Sequence, residues 1–154
     1  MHTINGDIIA LAKAGRFDVI AHGCNCFHTM GGGLAAQVRR HFPEAYEADL
    51  ATPFGDRAKL GTCSFTVVER EGVRFTVVNA YTQLHPSMGA GVDVDYDAVR
   101  GAMGWIKSRH TGARIGLPQI GAGLAGGDWA RIEGIIGDVL GGEDVTIVTF
   151  SGAA

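Results

Sequence analysis

Two glycine-rich segments, far apart in the chain, each stand between a short apolar run and the start of an amphipathic helix. The first is Met30-Gly31-Gly32-Gly33-Leu34-Ala35, behind the apolar stretch 17–21; the second is Ile120-Gly121-Ala122-Gly123-Leu124-Ala125-Gly126-Gly127, behind Ile115-Gly116-Leu117. The order strand, glycine loop, helix turns backbone N–H groups and a helix N-terminus toward anionic oxygens, and the missing Cβ atoms let those oxygens come close. Two such loops, each ahead of a helix, point to a pocket that grips a diphosphate or two phosphorylated ends of one ligand.

Around these loops, strand and helix signals alternate with short connections, the pattern of an α/β fold on a parallel or mixed sheet. A strand at 3–5 precedes Ile8, Ile9, Leu11 and Ala12 at helical spacing, with Asp7 placed to cap that helix and Gly15 to stop it. Val19, Ile20 and Ala21 give a strand at 17–22 that reads as buried on both faces. Leu34, Val38 and Phe42 mark a helix that ends before Pro43, and a short helix follows at 44–50. The period then changes to two: 62–68 and 73–78, rich in β-branched residues and joined through Glu71-Gly72, read as a hairpin. A polar loop at 80–94 leads to a helix near 95–109, with Val99, Met103 and Ile106 on one stripe. A strand at 115–117, a helix near 128–140 and a strand at 145–150 complete the chain, which has no linker and no repeat. Its 154 residues are therefore read as one domain, 1–154.

Thirteen basic residues against sixteen acidic ones, a net charge of −3, leave no electrostatic footprint for coating nucleic acid. The three cysteines, Cys24, Cys26 and Cys63, are odd in number and lack a small-domain disulfide spacing, as in a reducing compartment. No stretch reaches the roughly 18 apolar residues of a membrane span, and no signal segment opens the chain. A cytoplasmic monomer with no membrane partner is the expectation.

Ligands of open α/β sheets bind outside the carboxyl ends of the strands. That rule gathers Asp7, residues 22–33, 79–85 and 118–127, and Phe150-Ser151 onto one rim. Asp7 reads as an N-cap, as a carboxylate accepting from an adenine-type amino group, or as both. His22, Cys24, Cys26 and His28 alternate, but structural zinc favours C-x2-4-C spacing and a distant second pair, so no metal is expected. Cys24 and Cys26 follow a buried strand, where thiols are usually inert. His22 is either a satisfied core histidine or a general acid at the rim. Asn25, directly before a glycine loop, is read as a partner for a ribose hydroxyl rather than as a turn cap, while Asn79 fits either role. The aspartates Asp93, Asp95 and Asp97 are explained by a helix start. Phe150 either stacks on a base or caps the core.

These residues carry a family likeness. Asp7-Ile8 after a first strand, His22-Gly23-Cys24-Asn25-Cys26 leading to Gly31-Gly32-Gly33-Leu34-Ala35, and Leu117-Pro118-Gln119-Ile120-Gly121-Ala122-Gly123-Leu124 resemble the macrodomain family over essentially the whole chain. The resemblance implies a three-layer α/β/α fold around a mixed, roughly six-stranded sheet, with a cleft for ADP-ribose and no cofactor. By that likeness Asp7 and Ile8 meet the adenine, and Phe150 lies beside the adenosine. Asn25, Gly31, Gly32, Gly33 and Leu34 surround the distal ribose, and Gly121, Ala122, Gly123, Leu124, Ala125 and Gly126 wrap the diphosphate.

Macrodomains divide into readers, ADP-ribosyl hydrolases and phosphatases of ADP-ribose 1″-phosphate, so the fold leaves the reaction open. Gln83 stands where hydrolases of glutamate- or DNA-linked ADP-ribose have a lysine, and Ala125 where the glutamate-specific ones have an aspartate. Both absences count against that activity. The His-x-Cys-Asn-Cys arrangement and the Gly-Gly-Gly-Leu-Ala loop are instead similar to the 1″-phosphate phosphatases. The resemblance implies His22 as catalytic acid with Thr82 nearby. Water attack or transient capture of the phosphoryl group would then proceed with Gly31 to Gly33 N–H groups holding charge and His22 protonating the leaving oxygen.

Overall fold

A computed structural model describes residues 1–87 and 91–150. Its elements run β1 (His2–Asn5), α1 (Ile8–Lys13), β2 (Val19–Cys24), α2 (Gly33–His41), α3 (Pro43–Leu50), β3 (Cys63–Arg70), β4 (Val73–Tyr81), α4 (Tyr96–His110), β5 (Arg114–Leu117), α5 (Trp129–Leu140) and β6 (Asp144–Thr149), with a short 3-10 turn at Arg57–Lys59. The strands form one six-stranded sheet in the order β1-β6-β5-β2-β4-β3. All neighbours pair parallel except β3, which returns antiparallel to β4 through the expected hairpin. The carboxyl ends of the five parallel strands therefore share one edge.

The continuous apolar run in β2 is explained by its central place in the sheet. Val19 and Ala21 enter a core with Val99, Ile106, Ile132 and Ile136 of α4 and α5, while Ile20 and Cys24 enter a second core with Ile9, Val38 and Ala45 of α1, α2 and α3. Each buried Val, Leu or Ile contributes roughly 1.5–3 kcal/mol. Two helices cover one face and three the other, giving the three-layer α/β/α arrangement with a mixed sheet.

Several boundaries differ from the expected ones, for a shared reason. Parallel pairing of β2 with β4 continues through His22↔Asn79, Gly23↔Ala80 and Cys24↔Tyr81, so both strands outrun the readings of 17–22 and 73–78. His22 and Asn79 are consequently interior strand positions, not strand ends. Within the expected polar loop, Gln83 and Val94 form an antiparallel bridge. Pro43 both stops α2 after His41 and opens α3, where its missing N–H costs nothing. Phe150 is 64% exposed, so it does not cap the core; Ser151 lies outside the described residues. Among the described residues no helix is long and apolar enough to cross a membrane.

Candidate functional site

A cleft of about 690 Å³ lies along the carboxyl edge, walled by the two glycine loops and by the segment after β4. Its lining includes Asn25, Gly31 to Ala35, Thr82, Gln83, Gly121, Gly123, Leu124 and Ala125, and among the described residues contains no Asp, Glu, Lys or Arg. An anion held here would be held by dipoles rather than by side-chain charge.

Four helices begin at this edge, because each follows a parallel strand. Three are closed by an aspartate: Asp7 accepts from the N–H groups of Ile9 and Ala10 before α1, Asp95 from Ala98 before α4, and Asp128 from Ala130 before α5. The fourth, α2, has Gly32 at its cap and hence no side chain to accept from its first turn. Among the described residues, the N–H groups of Gly31, Gly32, Gly33, Leu34 and Ala35 have no hydrogen-bond partner; the first satisfied one is Ala36, bonded to the Gly32 carbonyl at 3.3 Å. Unpaired helix N-termini carry partial positive charge and are ready anion sites. Gly33 enters the helix at φ +55°, a left-handed conformation that costs glycine little.

The second loop is assembled differently. Its turns close on themselves, with Ala122 N–H donating to the Gln119 carbonyl at 3.1 Å, Gly126 to Gly123 at 3.0 Å and Gly127 to Gly121 at 2.8 Å. The Ala125 carbonyl accepts from Asp93 N–H at 2.8 Å, fixing the loop to the strand-like bridge. The helix that follows is already capped by Asp128, so the expectation that both loops offer a helix N-terminus holds for the first alone. Gly121 has φ +75°, and a Cβ there would lie 2.8 Å from Val94 Cγ2 and 3.2 Å from Ile132 Cδ1. A side chain at 121 would thus enter the core, not the cleft. Leu124, though 59% exposed, reaches across to the first loop: its Cδ1 would sit 3.1 Å from a Cβ on Gly32.

His22 is 2% exposed and its Nε2 lies 2.7 Å from Asn79 Oδ1. The amide orientation follows from its other end, where Asn79 Nδ2 faces the Ala45 carbonyl at 2.9 Å, an acceptor only. His22 Nε2 therefore carries the proton and donates it to Asn79. Burial pushes the imidazole below its ordinary pKa of 6.5, against smaller opposing effects of the Asn79 bond and the Asp49 charge. Cys24 Sγ lies 3.8 Å from His22 Nδ1, and burial raises its thiol well above the ordinary value, so the ring faces a neutral sulfur. His22 lines the cleft, with the hydrogen bonding of a satisfied core histidine.

Asn25 lines the cleft, but its amide is engaged locally, accepting from Phe27 N–H at 2.8 Å and donating to Thr29 Oγ1 at 2.7 Å. This is the turn-capping role. Gln83 donates through Nε2 to the His85 carbonyl and to Ser87 Oγ, both at 2.9 Å. Thr82 is fully buried, lines the cleft, and its Oγ1 has no partner among the described residues. Asp7, Ile8, Ala122, Gly126 and Phe150 stand outside the cleft lining, Ile8 being buried beneath α1 and Phe150 lying at the outer end of β6. Thr29, Pro86 and Ser87 line the cleft unannounced by any motif, since only the fold of their loops brings them there.

No protein-family model matches the chain. It is 40% identical over 152 residues to an uncharacterized 17.5 kDa protein from the tk-vs intergenic region of Enterobacteria phage T4, covering 94% of this chain and 93% of that one. A macrodomain protein from Streptomyces coelicolor superposes with a TM-score of 0.72 at 28% identity, covering 99% of both chains. Thermosipho africanus DarTG in complex with ADP-ribose matches with a TM-score of 0.68 at 17% identity, over 96% of this chain and 40% of that one.

Proposed function

The chain belongs to the macrodomain family, and on that premise we propose that its cleft binds ADP-ribose, with the diphosphate held mainly by the backbone of the first glycine loop. The observation that carries this reading is the uncapped start of α2, where five consecutive N–H groups lack partners among the described residues, beside three neighbouring helix starts that aspartates close. A diphosphate satisfies those donors and the helix dipole together. The DarTG complex named above supports the choice of ligand. In this reading Asp7, Ile8 and Phe150 meet the adenosine half beyond the cleft, while Asn25 and Leu34 flank the distal ribose. Gly121, Gly123 and Leu124 close over the diphosphate from the other side, with Ala122, Ala125 and Gly126 shaping their loop.

Phosphatase action on ADP-ribose 1″-phosphate is the second reading, favoured by the unpartnered Thr82 hydroxyl in the cleft wall. The His22 proton is given to Asn79 and the ring is held neutral by burial, so His22 lines the cleft as a fixed wall group rather than as a donor to a leaving oxygen. Binding without turnover is accordingly the reading the geometry supports best. Calorimetry with ADP-ribose, paired with a phosphate-release assay on ADP-ribose 1″-phosphate, tests both. Micromolar or tighter binding without phosphate release is expected; phosphate release abolished by Thr82→Val would establish the phosphatase instead, and absence of ADP-ribose binding would end the first reading.

A further inference from the structure

Behind the first glycine loop lies a buried polar chain in which every proton runs the same way. His22 Nε2 donates to Asn79 Oδ1, Asn79 Nδ2 donates to Ser64 Oγ at 3.0 Å, and Ser64 Oγ lies 2.8 Å from the Tyr81 hydroxyl. Tyr81 in turn donates to Asp49 Oδ1 at 2.7 Å. Since the Tyr81 proton goes to Asp49, Ser64 donates its own to Tyr81. Burial raises the Tyr81 pKa, which keeps that proton in place. Four donors in series thus end, through Tyr81, on one carboxylate that is 1% exposed and whose second oxygen has no partner among the described residues. Such chains polarise cooperatively and fix geometry more firmly than isolated bonds.

The far end of this chain is the root of the loop. Asp49 sits near the end of α3, and its carbonyl accepts from Thr52 Oγ1 at 2.6 Å. The Thr52 carbonyl lies 2.8 Å from His28 Nε2, and Tyr46 of α3 donates to the His28 carbonyl at 2.8 Å. His28 is held at φ +58° and Met30 at φ +40°, conformations that side chains other than glycine adopt reluctantly. The other side of the root rests on the Tyr81 ring: Lys59 Nζ stands 4.5 Å from its centroid and donates to the Cys26 carbonyl at 3.2 Å. Tyr81 therefore supports the loop from both sides of its turn, through its ring at Cys26 and through its hydroxyl, Asp49 and Thr52 at His28.

We propose that Tyr81 and Asp49 are positioning residues of the ADP-ribose cleft: their hydroxyl–carboxylate contact anchors the turn after α3, and that turn imposes the strained loop shape that leaves the Gly31 to Ala35 amides free. The proposal rests on the binding reading above for its ligand, but the loop shape stands on its own. Ligand affinity then depends on preorganisation by groups that never touch the ligand. The unpartnered Asp49 oxygen is explained as a cost accepted to keep a buried acceptor strong enough to terminate the chain.

Tyr81→Phe removes the hydroxyl and keeps the ring with its Lys59 contact, and Asp49→Ala removes the acceptor. Hydrogen exchange of the two bonded amides that bracket the loop, Phe27 on Asn25 Oδ1 and Ala36 on the Gly32 carbonyl, should quicken about tenfold in both variants of the ligand-free protein, and ADP-ribose affinity should fall about tenfold. Asp49→Asn returns an acceptor to the hydroxyl and should rescue most of both losses. Val145→Ala, in the core on the opposite face of the sheet, provides the control: equal loss of stability with unchanged exchange at Phe27 and Ala36 and unchanged affinity. Exchange at Phe27 and Ala36 that stays at wild-type rates in Tyr81→Phe, failure of Asp49→Asn to rescue, or an equal loss of affinity in Val145→Ala overturns the proposal. A wild-type protein that binds no ADP-ribose would sink the ligand assignment alone, with the exchange measurements still deciding the positioning role.

Discussion

The two glycine loops are near twins in sequence and unlike in construction. The first spends its glycines on openness: a Cβ on Gly31 would meet nothing closer than the Thr29 carbonyl at 3.8 Å, its amides have no partner among the described residues, and polar contacts from α3 fix its shape. The second spends them on compactness, bonding its own turns and pressing Gly121 against Val94 and Ile132. One loop is a set of donors held ready by a polar frame, and the other is a lid rooted in the apolar core. The difference teaches that glycine at a binding edge has two uses, freeing N–H groups and permitting close packing, and that neighbouring contacts decide which applies.

The same substitution should therefore break the two loops in different ways. Gly121→Glu combines left-handed strain with overpacking, so a loss of about 3 kcal/mol or more in urea unfolding is expected. The side chain would press into Val94 and Ile132 rather than stand in the diphosphate site. Gly31→Glu should do the reverse, leaving the unfolding midpoint in place while weakening ADP-ribose about 100-fold in calorimetry, because a carboxylate joins free donors meant for an anion. A Gly31→Glu protein that unfolds early, or a Gly121→Glu protein that is stable but fails to bind, would erase the distinction.

Acid should separate the loops next. The folded pKa of His22 is depressed below its unfolded value of 6.5, so its contribution to stability is fully present above that value and is lost as pH falls below it, the unfolded chain taking up the proton first. The Asp49 charge and the Asn79 bond moderate the shift, and Cys24 beside the ring stays neutral. Unfolding free energy should therefore decline from about pH 7 to about pH 5, and His22→Gln, which retains an N–H donor for Asn79, should flatten that slope. Hydrogen exchange should quicken at the bonded amides of Phe27 and Ala36 before those of Gly126 and Gly127, since the first loop leans on the His22 chain. Equal sensitivity of both loops would show that the frame is not what distinguishes them.

Periodicity and turn chemistry made most of the fold legible: Asp7, Gly15, Pro43 and the Glu71-Gly72 hairpin all act as their residue types dictate. The glycine loops and Thr82 were legible as cleft wall. What stayed hidden depended on pairing and tertiary reach. Nothing local says that β2 continues past His22, because the residues that extend it are the neutral Gly23 and Cys24, and the ladder with β4 decides. Asp49, Tyr46 and Thr52 carry no motif, and a buried aspartate in an amphipathic helix looks like any solvated one until its partner on another strand is known. The caps were readable individually as helix starts, yet their meaning lies in the one that is missing, at Gly32.

Leu124 offers a smaller test, because it is where the two loops touch. Its side chain rests on Gly32 and Gly33 while staying largely exposed, so it roofs the cleft without supporting the core. Leu124→Ala should leave stability within about 0.5 kcal/mol and raise the ADP-ribose off-rate about fivefold in stopped-flow measurements, with a smaller change in on-rate. An unchanged off-rate would mean that the first loop retains the ligand unaided.

The smallest expected effect concerns salt, and it follows from what the cleft wall lacks. A site that holds a diphosphate with lysines and arginines weakens steeply as ions screen those charges, whereas dipoles act over a helix turn and are already within contact distance. Among the described residues no charged side chain lines this cleft, and the protein's net charge of −3 repels an anion at low salt, opposing the helix dipole at long range. Raising salt from about 0.1 M to about 1 M shortens the Debye length from about 10 Å to about 3 Å, which suppresses that repulsion as well as any attraction. Affinity for ADP-ribose should therefore change by less than about threefold across that range. A loss of about tenfold or more would reveal a cationic side chain reaching the diphosphate, and Arg39, whose guanidinium already donates to the Thr29 carbonyl at the loop, would be the first to replace with methionine.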